Sequence, residues 1–510
     1  MKFDRLTVVV MLACAAFQIW AADYYTVFDD EAFSLQRYIL PAGELVRELW
    51  SGVEPDPPLY YLLEHAWIEL MGVRPLPMRG LSILFFVLSL PVLRAAGEAW
   101  YDRTAGRWAV VLCGLNPLHL FFGFAARWYA LFFLWTAVLL LATAKLAAAG
   151  SQPDSTAAPR RFVWPVVWVM AAAAACYTNY LGPVVVGVTW MYAAWTQRAG
   201  RRTLAWLLIA TVALFLPWMP AFAAEIGRFP QVSDMPASYA VCAARTLVAL
   251  TAGNLAGPDS LYVWIPMGVF GLGMLTLAIA TPRRLGGPAC IAVGVAVAGI
   301  ASLVLIDKYV MVLSGAFWLA VAGVLSLPRL GRKQRVRQVT VAGLSLAWAG
   351  CGINWILEQG WTSLRWLDPI PQAVREHIWD PVIVATHPSV RYYYGCKDPA
   401  RWTGRLSPQR WSERAELVLT PAQALERLDS VELVDPSGRP LTVATIRTAS
   451  IRSDDAGWPH FEIWLNENMK LDKETALMPD PLSGLKDRLD PAYVHPTHRV
   501  VARRYVAGSP

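Results

Sequence analysis

Apolar residues in this chain fall in long unbroken runs rather than alternating with polar ones. Eleven runs stand out, at about 6–22, 79–96, 107–122, 129–147, 162–178, 181–197, 203–219, 261–280, 288–306, 309–327 and 338–356. Crossing the hydrocarbon core takes about 20 apolar residues in a helix. Backbone in lipid must satisfy its own hydrogen bonds, which leaves helices or closed barrels. Continuous runs predict helices. The stretch 162–197 must hold two spans, hinged at Tyr177-Thr178-Asn179-Tyr180-Leu181-Gly182-Pro183, where Gly and Pro punctuate the chain.

Beyond residue 357 the pattern changes. Charges return and long apolar runs stop. Asp380-Pro381-Val382-Ile383-Val384-Ala385-Thr386 reads as a short buried strand, and Ala415-Glu416-Leu417-Val418-Leu419-Thr420 as another. Pro421-Ala422-Gln423-Ala424-Leu425-Glu426 opens a helix after it. The predicted fold is therefore mainly α. It has a polytopic membrane helix bundle of about eleven transmembrane helices over 1–356 and a water-facing α/β domain over 357–510.

Charge orients this arrangement. Lys and Arg favour cytoplasmic loops. With the N-terminus inside, the cytoplasmic segments hold 18 basic residues, among them Arg94, Arg103, Arg107, Arg201, Arg202, Arg335 and Arg337; the opposite loops hold eight. The first outside loop is then 23–79, and the C-terminal domain is extracytoplasmic. The chain is expected in the cell (inner or plasma) membrane. Met1–Ala22 also has the layout of a cleaved signal peptide, but downstream orientation is the same either way.

Composition adds little to that picture. The chain is 56% hydrophobic, with mean hydropathy +0.38. Its net charge of +7 has a sufficient source in the inside loops, so no nucleic-acid partner is implied. Five of seven cysteines, Cys14, Cys113, Cys176, Cys290 and Cys351, lie in or beside spans; Cys242 and Cys396 both face outside and could pair, though their spacing does not require it.

Candidate chemistry gathers in the first outside loop. Phe28-Asp29-Asp30-Glu31-Ala32-Phe33-Ser34 follows the first span. Adjacent carboxylates raise at least one pKa, which suits a base or a metal ligand. Acids also favour helix starts, so a solvated helix N-terminus is the plainer reading. Further on, Glu54-Pro55-Asp56-Pro57-Pro58-Leu59-Tyr60-Tyr61-Leu62 reads as a rigid turn before an interfacial helix. His65 lies on that helix, where it either contacts substrate or packs.

These segments, in this order, resemble the GT-C glycosyltransferases. The likeness is to the bacterial branch related to protein O-mannosyltransferases and the aminoarabinose transferases of lipid A. Ala126-Arg127-Trp128-Tyr129-Ala130-Leu131, the Tyr177–Gly182 turn and Asp307-Lys308-Tyr309-Val310 are also similar to that branch. Two positions depart from it. Lys308 stands where relatives often have Arg, and Asp56 where many have His.

The resemblance implies a polyprenyl-phosphate-linked sugar as donor, a hydroxyl on a lipid, glycan or protein as acceptor, and an inverting transfer at the outer face. It implies Asp30 as general base, with Asp29 its rival and Glu31 a helper. It places Arg127, Lys308 and Tyr309 at the donor phosphate, with Asp56, Tyr60 and His65 as further substrate contacts. No cofactor is expected, although a divalent cation at Asp29–Glu31 is chemically feasible. On residue chemistry alone, snorkelling at span ends is the plainer reading of Arg127 and Lys308.

Other classes remain in view. A transporter or flippase of lipid-linked sugars would carry ionisable groups at mid-membrane on broken helices, and these spans are nearly charge-free. A ligase of whole glycans would put its main loop late in the chain. A non-catalytic scaffold or glycan-binding partner would be indifferent to mutation of the acidic loop.

Overall fold

The computed structural model describes residues 4–25, 27, 29–51, 56–150, 158–196, 201–228, 238–253, 255–256, 260–282, 285–302, 307–326, 331–357, 374, 376–377, 380, 382–386, 388–396, 407–428, 441–448, 457–476 and 500–507. They divide into two compact units. One comprises Met1–Ala22, Pro41–Glu64 and Arg79–Ser363; the other comprises Asp23–Leu40, His65–Met78 and Leu364–Pro510.

Every apolar run meets a helix, and further helices lie between the runs. The helices are α1 (Arg5–Tyr24), α2 (Asp29–Tyr38), α3 (Ala42–Ser51), α4 (Pro58–Met71), α5 (Pro75–Trp100), α6 (Arg103–Leu115), α7 (Pro117–Phe122), α8 (Tyr129–Gly150) and α9 (Ala158–Cys176). Then come α10 (Gly182–Thr196), α11 (Arg201–Phe215), α12 (Met219–Arg228), α13 (Tyr239–Ala252), α14 (Leu261–Ala280), α15 (Gly286–Ala301), α16 (Met311–Leu325) and α17 (Gly331–Leu357). Among the described residues six helical stretches are long and apolar enough to cross a membrane unaided: Arg5–Tyr24, Pro75–Trp100, Tyr129–Ala148, Arg201–Glu225, Leu261–Ala280 and Lys308–Leu325. The other five predicted spans also coincide with helices. All five are short, broken or charged at one end: only Val163–Cys176 of α9 is apolar, α10 and α15 are short, α17 opens on basic residues, and the run 107–122 is split into α6 and α7.

The split has a local cause. Asn116 leaves helical geometry, its Oδ1 accepts from Leu118 N at 2.9 Å and His119 N at 3.4 Å, and Pro117 opens α7. Asn116 Nδ2 also donates to the Leu250 carbonyl at 3.0 Å, at the end of α13. α12 and α13 lie between the predicted spans 203–219 and 261–280. Their apolar runs are too short to register as spans, and burial of Cys242, Thr246, Ala249 and Leu250 supports α13 instead.

Contacts within this unit sort the helix ends into two sets. At one end, Asp4 bonds Arg107 at 2.7 Å and lies 3.6 Å from Arg94, Ser326 Oγ donates to Asp102 at 3.2 Å, and Tyr101 donates to the Leu285 carbonyl at 2.7 Å. The two guanidiniums and Thr7 hold the Asp4 carboxyl well below the usual carboxylate range. At the other end, Arg79 donates to the Ala22 carbonyl at 2.8 Å, Leu59 N to the Tyr177 carbonyl at 2.9 Å, and Trp128 meets the Tyr309 ring at 5.9 Å. Gly97 and Gly106 let α5 and α6 approach closely, since a Cβ on Gly97 would come within 2.8 Å of the Gly106 Cα.

The second unit carries β1 (Val382–Val384), α18 (Pro388–Gly395), α19 (Pro408–Ala415), β2 (Val418–Leu419), α20 (Pro421–Leu428), β3 (Thr442–Thr448), α21 (Gly457–Asn468), β4 (Met469–Ala476) and β5 (Val500–Ala507). The sheet order is β2-β1-β3-β5-β4. β1 runs parallel to β2 and β3, whereas β5 is antiparallel to β3 and β4. Val384, Val443 and Tyr505 from the strands pack with Trp458, Phe461 and Leu465 of α21 and Ala424 and Leu428 of α20. Both predicted strands and the helix at Pro421 are present, the strands shortened to their apolar centres. A mainly helical fold with apolar helices and a small C-terminal α/β sheet is thus what the chain adopts.

Cys242 and Cys396, the two cysteines expected outside the spans, are both buried.

Candidate active site

Arg127 is the centre of the first cluster. It sits in a non-helical stretch between α7 and α8 that begins at Gly123. A Cβ on Gly123 would collide with Gln18 and the His119 carbonyl, so the chain turns there without a side chain. A tight turn, with Arg127 N donating to the Ala125 carbonyl at 2.7 Å, then points the arginine into the bundle. Its guanidinium donates to Asp56 Oδ2 at 2.9 Å and to the Tyr61 hydroxyl at 3.1 Å. Asn179 Nδ2 donates to the other oxygen of Asp56 at 3.3 Å. All four residues are buried.

The backbone of Arg127 is supported as well. Tyr60 donates to Glu64 Oε2 at 3.0 Å, one helical turn on. The Ser82 hydroxyl lies 2.8 Å from Tyr60 and 3.4 Å from the Arg127 carbonyl. Adjacent tyrosines of α4 therefore serve the two parts of one arginine: Tyr61 meets the guanidinium, and Tyr60 reaches the main chain through Ser82. Pro57 and Pro58 set the start of α4 that makes this possible.

Lys308 and Tyr309 occupy a 3₁₀ turn, Asp307–Val310, ahead of α16. The Lys308 Nζ is 5.8 Å from the Tyr309 ring, and that ring tilts against Trp128, the neighbour of Arg127. Tyr180, in the hinge beside Asn179, accepts from Trp218 Nε1 at 3.2 Å; burial pushes its phenol up to about 12, so it stays neutral.

The second cluster belongs to the other unit. Asp29, Asp30 and Glu31 form the first turn of α2, where carboxylates suit the helix dipole. Glu31 is fully buried and Asp30 half-buried, while the Asp29 side chain lies outside the described residues. α2 packs against α18. Val27 N donates to the Tyr393 hydroxyl at 2.7 Å. His65 Nδ1 lies 2.7 Å from the Tyr38 carbonyl, which can only accept, so Nδ1 carries the proton. His65 thus ties α4 to the end of α2. Among the described residues no three His, Cys, Asp or Glu side chains converge as metal ligands.

Residue-by-residue reading missed several partners. Glu64 and Arg79 are fully buried charges. Glu64 could have been flagged as a carboxylate one turn after Tyr60 in an apolar helix, since ionisable groups there are usually functional. Arg79 donates to the Ala22 carbonyl and its guanidinium carbon lies 5.1 Å from the Phe124 ring centre. His119, also missed, lies within 2.8 Å of the Cys113 carbonyl and 2.9 Å of Ser314 Oγ.

ArnT from Cupriavidus metallidurans bound to undecaprenyl phosphate superposes on this chain with a TM-score of 0.53, covering 97% of each chain at 14% identity. The chain has the GT-C fold. Apo ArnT matches it equally, with a TM-score of 0.54, the same 97% coverage of both chains and 14% identity. The apo oligosaccharyltransferase of Archaeoglobus fulgidus is a looser likeness, with a TM-score of 0.48, 10% identity and coverage of 90% of this chain and 71% of that one. No family model matches the sequence, and no curated protein matches it. The GT-C likeness to ArnT extends over both units, the helical bundle with Arg127 and the sheet-bearing unit with Asp30 alike.

Proposed function

We propose that the protein is a membrane glycosyltransferase that moves a sugar from a polyprenyl-phosphate donor to an acceptor hydroxyl. The observation that carries this reading is the end-to-end GT-C likeness to ArnT, a protein that binds undecaprenyl phosphate. A buried arginine at the bundle end opposite the basic loops adds to it. The acceptor is a lipid, glycan or protein, and membrane lipids surround the bundle.

In this reading the acceptor hydroxyl attacks the anomeric carbon as the sugar–phosphate bond breaks. The hydroxyl proton passes to a carboxylate, and the bonding electrons leave with the lipid phosphate. Asp30 takes the proton; Asp29 is the alternative and Glu31 a supporting group. A positioned base of this kind contributes about 100- to 10,000-fold. Arg127 and Lys308 offset the charge gathering on the leaving phosphate, with Tyr309 as a hydrogen-bond donor. Such a transfer inverts the anomeric centre.

The bundle end rich in Arg94, Arg107, Arg201, Arg202, Arg335 and Arg337 is read as cytoplasmic, which puts Arg127, Lys308 and the C-terminal domain outside the inner membrane. The bundle is read as a domain over 1–356 and the remainder, 357–510, as a soluble one.

The test is transfer itself. Purified protein in lipid nanodiscs is given membranes or extracts carrying polyprenyl-phosphate sugars, and labelled sugar is followed into acceptor. Sugar transfer that vanishes in Asp30→Asn at unchanged protein level supports the enzyme. Full transfer without the protein, or equal transfer with the variant, leaves a scaffold or a carrier of lipid-linked sugars.

A further inference from the structure

Arg127 is already committed to an anion. Its guanidinium holds Asp56 Oδ2 at 2.9 Å, and it is only 6% exposed. Asp56, 3% exposed, has its other oxygen on Asn179. A phosphate arriving at this guanidinium meets a carboxylate on the same group. Two anions at one buried cation repel each other. Either the phosphate stays weakly held or the carboxylate gives way. Asp56 is placed to give way, because it precedes α4 instead of lying within it.

We propose that Asp56 is a resident anion for Arg127: it neutralises the guanidinium while the site is without donor, yields to the donor phosphate, and reclaims the arginine as the lipid phosphate leaves. This rests on the reading above that Arg127 meets the donor phosphate. It differs in kind from a substrate contact. A buried ion pair broken on one side leaves an uncompensated charge, so each exchange keeps Arg127 paired. The expected benefit is turnover, since the carboxylate competes with the product phosphate and limits how tightly it stays.

The experiment measures undecaprenyl phosphate binding to the full chain in nanodiscs for wild type, D56N and R127M, with donor kinetics alongside. Asn keeps the shape of Asp and removes the competing charge. D56N should bind undecaprenyl phosphate at least about tenfold more tightly, a modest return for removing a like charge. Its donor KM and its kcat should both fall. R127M should lose binding. If D56N binds equally or more weakly while R127M is impaired, Asp56 is an anchor or a direct contact and this proposal is overturned, with the donor reading intact. If R127M binds like wild type, the donor reading fails and the exchange fails with it. Should D56N not assemble, adding R127Q decides. Recovery of assembly means that the defect was the unpaired guanidinium, as the proposal requires; no recovery makes Asp56 a structural anchor and overturns it.

Discussion

Asn179 Nδ2 donates to Asp56 Oδ1 at 3.3 Å, across 123 residues of chain. The bond joins the hinge between α9 and α10 to the turn that opens α4. It runs alongside the backbone bond from Leu59 to Tyr177, so two adjacent contacts hold these segments together. Arg127 then closes the group from a third segment.

Loss of that bond should be measurable. Asn179→Leu leaves a buried carboxylate short of one donor, a cost of about 1–3 kcal/mol. The unfolding midpoint in detergent should fall, and transfer should fall with it. Asn179→Asp should be worse, because it sets a second carboxylate beside Asp56. A midpoint for both variants equal to wild type would show that the hinge contact contributes nothing.

The carboxylates of α2 separate by role. Asp30→Asn should reduce transfer roughly 100- to 10,000-fold while donor binding stays unchanged. Asp29→Asn should cost less, and Glu31→Gln should be intermediate. Because Glu31 is buried, its variant should also lower the unfolding midpoint, which Asp30→Asn should not. Near-normal turnover in Asp30→Asn together with loss in Asp29→Asn would move the base by one residue. Indifference of both would leave the cluster as the helix N-terminus that it also forms.

Lys308 is half-buried and close to Tyr309, so its charge is less enclosed than that of Arg127. Lys308→Met keeps the apolar stem and removes the charge. Use of polyprenyl-phosphate sugar should weaken with expression unchanged, and less than in Arg127→Met. Equal turnover in wild type and both variants would identify the two cations as snorkelling side chains.

Orientation has its own test. A reporter active only outside the cytoplasm should work when fused near Ser453 and be silent when fused near Arg332. The reverse pattern would place Arg127 and the acidic turn on the cytoplasmic side and remove the outer-leaflet donor from consideration.

What the sequence determined by itself is local. Runs of apolar residues fix where helices form, because each helix satisfies its own backbone. Gly182-Pro183 marks a break between two spans, whereas the break at Asn116-Pro117 falls inside a run that reads as one span along the chain. The two short strands and the helix at Pro421 follow from β-branched runs and a proline start. Asp29–Glu31 read equally as a helix start, and α2 begins there. Tertiary structure decided the rest. Nothing local pairs Arg127 with Asp56 71 residues away, or Asn179 with Asp56, because that depends on which helix ends meet. Burial of Glu64 and Arg79 is likewise a product of packing, since a charge in a loop and a charge in a core look alike along the chain. α13 escaped notice because a 14-residue helix is too short to span and is held by neighbours such as Asn116 and Trp348 rather than by lipid. Helix formation is written in neighbouring residues, whereas the partner of a buried charge is chosen by contacts that only the packed bundle brings together.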